Sequence, residues 1–214
     1  MPLAPVTDDT MLHDLMWRHT EDQTFSSGLW TLPELANYLT ERQNRFNAAT
    51  GLVLARASLT ITAASTVTLP ADWSATHRVA WHPTGALAGR TFAVPRGDRF
   101  SAYSSSSQVA PLAPLAADDH AGGTRVLELL PAVFPSSGTL DLLYVSTLTA
   151  LTLTPGNPVA FSVPFDFVPY LVYGVMGDML SKSGRGQDLE RAAYAELRYQ
   201  EGLAVAALLL EGFA

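Results

Sequence analysis

The chain has 214 residues, with 13 Lys and Arg against 20 Asp and Glu, and a formal net charge of −7. Apolar residues make up 48% and charged residues 15%, whereas soluble domains carry about 25% charged residues; the surface is therefore finished by Ser, Thr, Gly, Pro and Ala, or by partners. The composition argues against disorder, and the absence of Cys excludes disulfides, thiolate metal sites and cysteine nucleophiles. Twelve of the 13 basic residues are Arg, which a GC-rich genome would produce, and no basic stripe is present. Gripping nucleic acid through its phosphates is thus disfavoured, although an acidic protein can line a passage through which DNA slides. Residues 1–10 lack the basic and apolar regions of a signal peptide. The longest apolar run, Leu203–Leu210, is far shorter than the ~20 residues that span a bilayer, so a soluble protein with no membrane contact is expected.

The predicted elements run helix, strand, helix. Residues 8–19 read as a short helix capped by Asp8, Asp9 or Thr10, with Leu12, Leu15 and Met16 as its stripe. Residues 20–30 read as a loop. Thr31 and Glu34 have capping-box spacing, Pro33 suits a first turn, and Gly51 suits a stop. In this second helix Leu35, Leu39 and Phe46 share a face, and Arg42 and Arg45 fall off it.

From Ala57 the period changes to two. Residues 57–63 and 66–69 read as two short strands around a tight turn. Leu69–Trp73 is a predicted turn, and His77–Trp81, Gly89–Pro95, Arg125–Leu130 and Thr139–Ser146 are predicted strands. Gly, Pro and Ser clusters separate them, as in a small antiparallel sandwich or barrel. Residues 101–123 have no period and read as a long exposed loop. Residues 147–163 read as a strand followed by a linker.

The end of the chain is helical. Asp166 is a predicted N-cap, and Leu171, Val172, Val175, Met179 and Leu180 belong to a helix that ends near Lys182. A last helix runs from about Asp188 to Glu211. Leu189, Ala193, Leu197, Ala204 and Leu208 form one stripe, with Glu190, Arg191, Arg198 and Glu201 off it. Its final turns are apolar on every side, which calls for burial. The resulting expectation is an α+β protein. A helical bundle, 1–55 and 164–214, encloses an antiparallel β insertion, 56–163, with its long loop at 101–123.

Motifs for catalysis are lacking. No Gly-x-Ser-x-Gly, Walker A, Gly-x-Gly-x-x-Gly or His-Glu-x-x-His pattern occurs. Asp118-Asp119-His120 offers three consecutive potential ligands, but neighbours in sequence rarely converge on one ion and a solvated loop tip accounts for them. Carboxylate pairs suited to glycoside hydrolysis have no frame to hold them. No enzyme activity, cofactor or metal is expected. Trp73 and Trp81 could stack on a sugar, giving a carbohydrate- or surface-binding module as the alternative function; core packing is their plainer role.

Both ends resemble the adaptor (head–tail connector) proteins of tailed bacteriophages, the group that includes tail tubular protein A of short-tailed phages. The resemblance rests on Leu32-Pro-Glu-Leu-Ala-Asn-Tyr-Leu39, Glu41-Arg-Gln-Asn-Arg-Phe46 and Leu69-Pro-Ala-Asp-Trp73. It continues through Val163-Pro-Phe-Asp-Phe-Val-Pro-Tyr-Leu171, Met179-Leu-Ser-Lys-Ser-Gly184 and Asp188-Leu-Glu-Arg-Ala192. Residues 84–135 carry none of it. It implies a structural virion protein at the head–tail junction, assembled in the host cytoplasm. It also implies a ring of twelve copies joining the portal protein to a downstream neck or tail protein, with DNA passing without sequence-specific binding. The last helix would engage the portal through Leu203, Ala207, Leu210 and Phe213; alternatively, Leu203 and Ala207 close this subunit's own bundle.

Overall fold

The computed structural model describes residues 29–62, 66–85, 88–94, 116–118, 125–130, 137–153 and 159–211. They divide into two compact units: one comprises the residues up to Val53 and from Leu148 onward, the other Leu54–Thr147. The predicted helix at 8–19, the tight turn at 64–65 and Phe213 lie outside the described residues.

The first unit contains α1 (Leu32–Thr50), α2 (Val168–Ser181) and α3 (Leu189–Glu211), with a 3-10 turn at Phe165–Phe167. At the start of α1 the Thr31 hydroxyl accepts the Glu34 N–H, and Gly51 ends the helix at φ 67°, a left-handed conformation that glycine adopts without a Cβ clash. The Glu34 carboxylate meets the Thr31 backbone N–H, the reciprocal half of the capping box, and also engages the Tyr38 hydroxyl (2.9 Å) and Lys182 (2.8 Å). Hydrogen bonding from Lys182 holds Glu34 below the usual carboxylate range, against the opposing effect of burial. Asp166 does not cap α2. It lies inside the 3-10 turn, and α2 begins after Phe167 with no side-chain cap.

Leu35, Leu39 and Phe46 of α1 are buried against Leu171, Val175, Met176 and Met179 of α2 and Ala195 and Tyr199 of α3. Arg42, expected off the apolar stripe, is also buried, at 6% exposure. Its guanidinium forms a bidentate pair with Asp178 of α2 (2.6 and 2.7 Å) and reaches Glu196 of α3 at 2.7 Å. Its Cζ sits 4.8 Å from the centre of the Tyr199 ring, whose hydroxyl donates to the Arg42 carbonyl. Burial works against the charge, but hydrogen bonds to Asp178 and Glu196 overcome it and raise the Arg42 pKa. A Cβ on Gly174 would lie 2.8 Å from the Tyr199 ring and 3.0 Å from Arg42 Cδ, so glycine makes room for the clamp.

The remaining polar face of α1 fixes the two places where the chain passes between units. Asn47 bonds both backbone groups of Val53 (2.8 and 3.1 Å). Asn44 accepts from Leu148 N–H, Thr40 accepts from Leu151 N–H, and Gln43 donates to the Thr149 carbonyl. No strand forms in the described part of 147–163; α1 side chains satisfy this backbone in place of a sheet neighbour.

The second unit contains β1 (Leu54–Ile61), β2 (Thr66–Thr68), β3 (Trp73–Pro83), β4 (Phe92–Val94), β5 (Ala116–Asp118), β6 (Val126–Leu130) and β7 (Gly138–Ser146). They form an antiparallel four-stranded sheet ordered β1-β7-β3-β4 and an antiparallel three-stranded sheet ordered β2-β6-β5. Three features depart from what the sequence predicts. The strands at 57–63 and 66–69 are not a hairpin: β1 pairs with the long β7 over eight positions, and β2 joins β6 in the other sheet. The predicted loop at 101–123 contains β5, which the sequence hides because its three residues have no room to show alternation. Strand β3 also begins at Trp73, earlier than alternation indicates, because register shifts at 73–75 and 76–78 break the period of two. Trp73, Thr76, Val79 and Trp81 are all buried as a result, and Trp73 Nε1 donates to Thr76 Oγ1. Ile61, Leu69, Val79, Trp81, Leu127, Leu140 and Leu142 bring both sheets into one core. Gly138 admits the Trp81 indole. A Cβ there would lie 2.4 Å from the His82 carbonyl and 2.5 Å from the ring.

Gly138→Ala should lower the unfolding free energy by about 1–3 kcal/mol, because the backbone carbonyl cannot withdraw cheaply; a urea titration reads this as a lower midpoint. Arg42→Ala should cost toward the lower end of roughly 3–5 kcal/mol, since Asp178 and Glu196 keep some solvent access. Arg42→Lys should recover only part of it, because an ammonium cannot make the bidentate pair. Tyr38 supplies a pH signature: burial, and then the Glu34 carboxylate, push its pKa from 10.0 up to about 12. The folded state therefore holds a proton that the unfolded state releases, and stability falls as pH rises through that interval. In alkaline denaturation, Tyr38→Phe should flatten part of this slope.

Candidate functional site

Two clusters and one surface are open to chemistry or partners. On the exposed side of the four-stranded sheet Asp141 accepts from Ser58 (2.5 Å) and Arg56, and lies 3.3 Å from His82 Nε2; His82 Nδ1 meets the Thr91 hydroxyl at 3.0 Å. The Ser58 hydroxyl and the Arg56 guanidinium hold Asp141 below the usual carboxylate range. These contacts link β1, β7 and β3 to the approach to β4, and act as a cross-strand tie. A shallow, open depression is lined by Leu29, Trp30 and Lys182–Gly186. Trp30 closes it from within, donating from Nε1 to the Met179 carbonyl, and Lys182 is already engaged by Glu34 and the Leu29 carbonyl. Among the described residues no group of three His, Asp or Glu side chains could hold a metal ion.

The surface is the outer side of α3, and it is built against the usual rule. The side of α3 turned into the bundle is made of small residues and one tyrosine: Ala192, Ala195, Tyr199, Gly202 and Ala206 are buried. A Cβ on Gly202 would come within 2.4 Å of Tyr170 of α2, so the two helices approach closely there. Apart from Leu203, which packs against the core, most of the large apolar residues point the other way. Leu189, Leu197 and Leu208 are 64%, 57% and 68% exposed, and Tyr194, Val205 and Leu209 are exposed beside them. An amphipathic helix ordinarily buries its large apolar stripe. Here the stripe Leu189, Ala193, Leu197, Ala204 and Leu208 is exposed throughout.

Neighbouring contacts stiffen this surface. Tyr194 packs edge-on against Tyr173 of α2, with centroids 6.3 Å apart. Arg198 lies over the Tyr173 ring at 5.7 Å and pairs with Glu201. Burial raises the pKa of the Tyr199 hydroxyl behind the surface. Asp188 caps α3 through the Arg191 N–H, and the Arg42 clamp fixes the rotation of the helix through Glu196 and Tyr199.

The sequence-derived contact residues divide. Leu203 is half-buried against this subunit's own core, Leu210 is half-buried and Ala207 is exposed. Tyr194, Val205 and Leu209, absent from that set, belong to the exposed surface, as do Leu189, Leu197 and Leu208. Trp73 and Trp81, which would carry sugar stacking, are 7% and 0% exposed and belong to the β core. No described helix is long and apolar enough to cross a membrane. A search of curated proteins finds no match to the sequence. The model of the SU10 adaptor protein family matches residues 12–210, and the chain belongs to this family of phage structural adaptor proteins.

Proposed function

We propose that the protein is an adaptor ring subunit of the phage neck, joining the portal to the next neck or tail component and lining part of the channel for DNA. Copies close a symmetric ring, expected to be twelve-fold as in adaptors akin to tail tubular protein A, and the outer side of α3 is the surface that meets the portal. The observation that carries this reading is the orientation of α3, with small residues inward and Leu189, Leu197, Val205 and Leu208 outward. A subunit that spends its large side chains on the outside leaves most of their burial to assembly. Sparse charge fits the same role, since the centres of interfaces are depleted in charged residues. The charge of −7 suits a lumen that must not hold the passing DNA. In this reading the helical unit is the docking module, the β unit an insertion presented to neighbours, and the site of action the virion, after assembly in the host cytoplasm.

Leu197→Glu with Leu208→Glu tests the docking surface. Both positions are solvent-exposed, so circular dichroism and melting temperature should stay near those of the wild type, while capture by the cognate portal should weaken at least ~30-fold, as when about 2 kcal/mol of apolar anchor is lost. Full portal binding by a folded double variant would overturn the assignment. Electron micrographs of protein and portal together test the ring directly, and a portal with no added ring would count against the function itself.

A further inference from the structure

The register shift at 76–78 decides what the outer face of the four-stranded sheet carries. Thr76 stands opposite Tyr144 but Arg78 stands opposite Leu143, so one extra residue is taken up between them. Without it Arg78 would stand opposite Leu142 and share its side of the sheet, which is the β core. With it, Arg78 joins the outer face. Arg56 of β1 is also opposite Leu143, from the other side of β7. The face therefore holds a row of Arg56, Leu143 and Arg78, with the two arginine Cα atoms roughly 10 Å apart. Asp141 fixes the Arg56 guanidinium without covering it, since 69% of that side chain is exposed. Arg78 is exposed and has no acidic partner among the described residues. The next row, Ser58, Asp141, Ala80 and Ala93, is made of short side chains.

Charge is divided unevenly between the two units. Residues 54–147 hold six basic and six acidic side chains, and the rest of the chain holds seven and fourteen, so the whole charge of −7 belongs to the helical unit. Within it, Asp166 and Glu190 are exposed and meet no basic side chain among the described residues. We propose that the row Arg56–Leu143–Arg78 of one copy receives the acidic helical unit of the next copy around the ring, with Asp166 and Glu190 among the carboxylates that meet it.

Charge complementarity selects this occupant, and the inference rests on the ring proposed above. A closed ring repeats one contact between two different surfaces of the same chain, and here one chain supplies both members of an oppositely charged pair. A two-fold pairing of sheet faces would set arginine against arginine. Passing DNA is the other polyanion in the neck, but a duplex is held by many phosphate contacts and this row offers two. A protein contact repeated at every subunit boundary needs only a few charges to set its register and suppress wrong pairings. Arginines beside a half-buried leucine also match the composition of interface centres, where Arg is enriched and most other charges are depleted.

Two full-length variants test this, Arg78→Glu and the double variant Asp166→Lys with Glu190→Lys. All three side chains are exposed, so circular dichroism and melting temperature should stay near those of the wild type. Self-association is followed by sedimentation velocity, free and with the cognate portal. Each variant alone should self-associate at least about tenfold more weakly than the wild type, because like charges then face each other. An equimolar mixture of the two should recover the wild-type level, since every contact in an alternating assembly again joins opposite charges. Self-association that ignores Arg78→Glu, or that Arg78→Glu weakens while the Lys variant and the mixture change nothing, would overturn the proposal. So would a wild type that does not self-associate in either condition, or Arg78→Glu abolishing binding to duplex DNA while self-association is intact. Portal binding is scored separately. Wild-type subunits captured singly and without cooperativity keep the docking role of α3 and remove this contact. Self-association that follows the charge swap, with no portal capture, keeps the contact and removes the portal reading.

Discussion

A single guanidinium holds the three helices in register. Arg42 is bound by Asp178 from α2 and Glu196 from α3, and stacks on Tyr199. A buried charge of this kind is costly unless every partner is in place, so each helix has one rotation at which the pair closes. For α3 that rotation presents its small side to the bundle and its leucines to solvent. Hydrophobic burial within the subunit would favour the opposite rotation; the ion pair and the close packing at Gly174 and Gly202 select the observed one.

Much of the local structure is legible in the residues. The Thr31 cap, the Gly51 stop, the limits of β7 and the order of helical and β segments follow from side chains whose effects act within a few residues. The failures share one cause, which is dependence on contacts distant in sequence. Arg42 looks solvated in its own helix because the partners that make burial tolerable lie more than a hundred residues away. Strands β1 and β2 look like a hairpin because adjacency in sequence is visible, while the longer register offered by β7 is not. The early start of β3 is concealed by its two bulges, which break alternation where Trp73 and Thr76 turn inward.

The candidate surface was half legible for a related reason. Periodicity identifies Leu189, Ala193, Leu197, Ala204 and Leu208 as one stripe but carries no information on which side of the stripe the bundle lies. Glycine and alanine on the opposite side are the signal that could have settled it. Gly202, Ala195 and Ala206 permit close helix packing, and a small-residue side is as good a bundle contact as a leucine side when the neighbouring helix brings Tyr170 and Met176.

The polar side of α1 has a different implication, for how such a chain can change. Asn47 secures Val53 where the chain leaves the helical unit, and Asn44 secures Leu148 where it returns. Between those points the first and last strands are ladder neighbours, with Leu54 opposite Val145, so entry and exit of the β unit lie about one strand spacing apart. The helical unit thus receives two anchored ends close together and makes no demand on the length of what joins them. The β unit is a cassette: it could be enlarged, shortened or exchanged between adaptor proteins of different phages while the helices, their clamp and their outward leucines stay as they are.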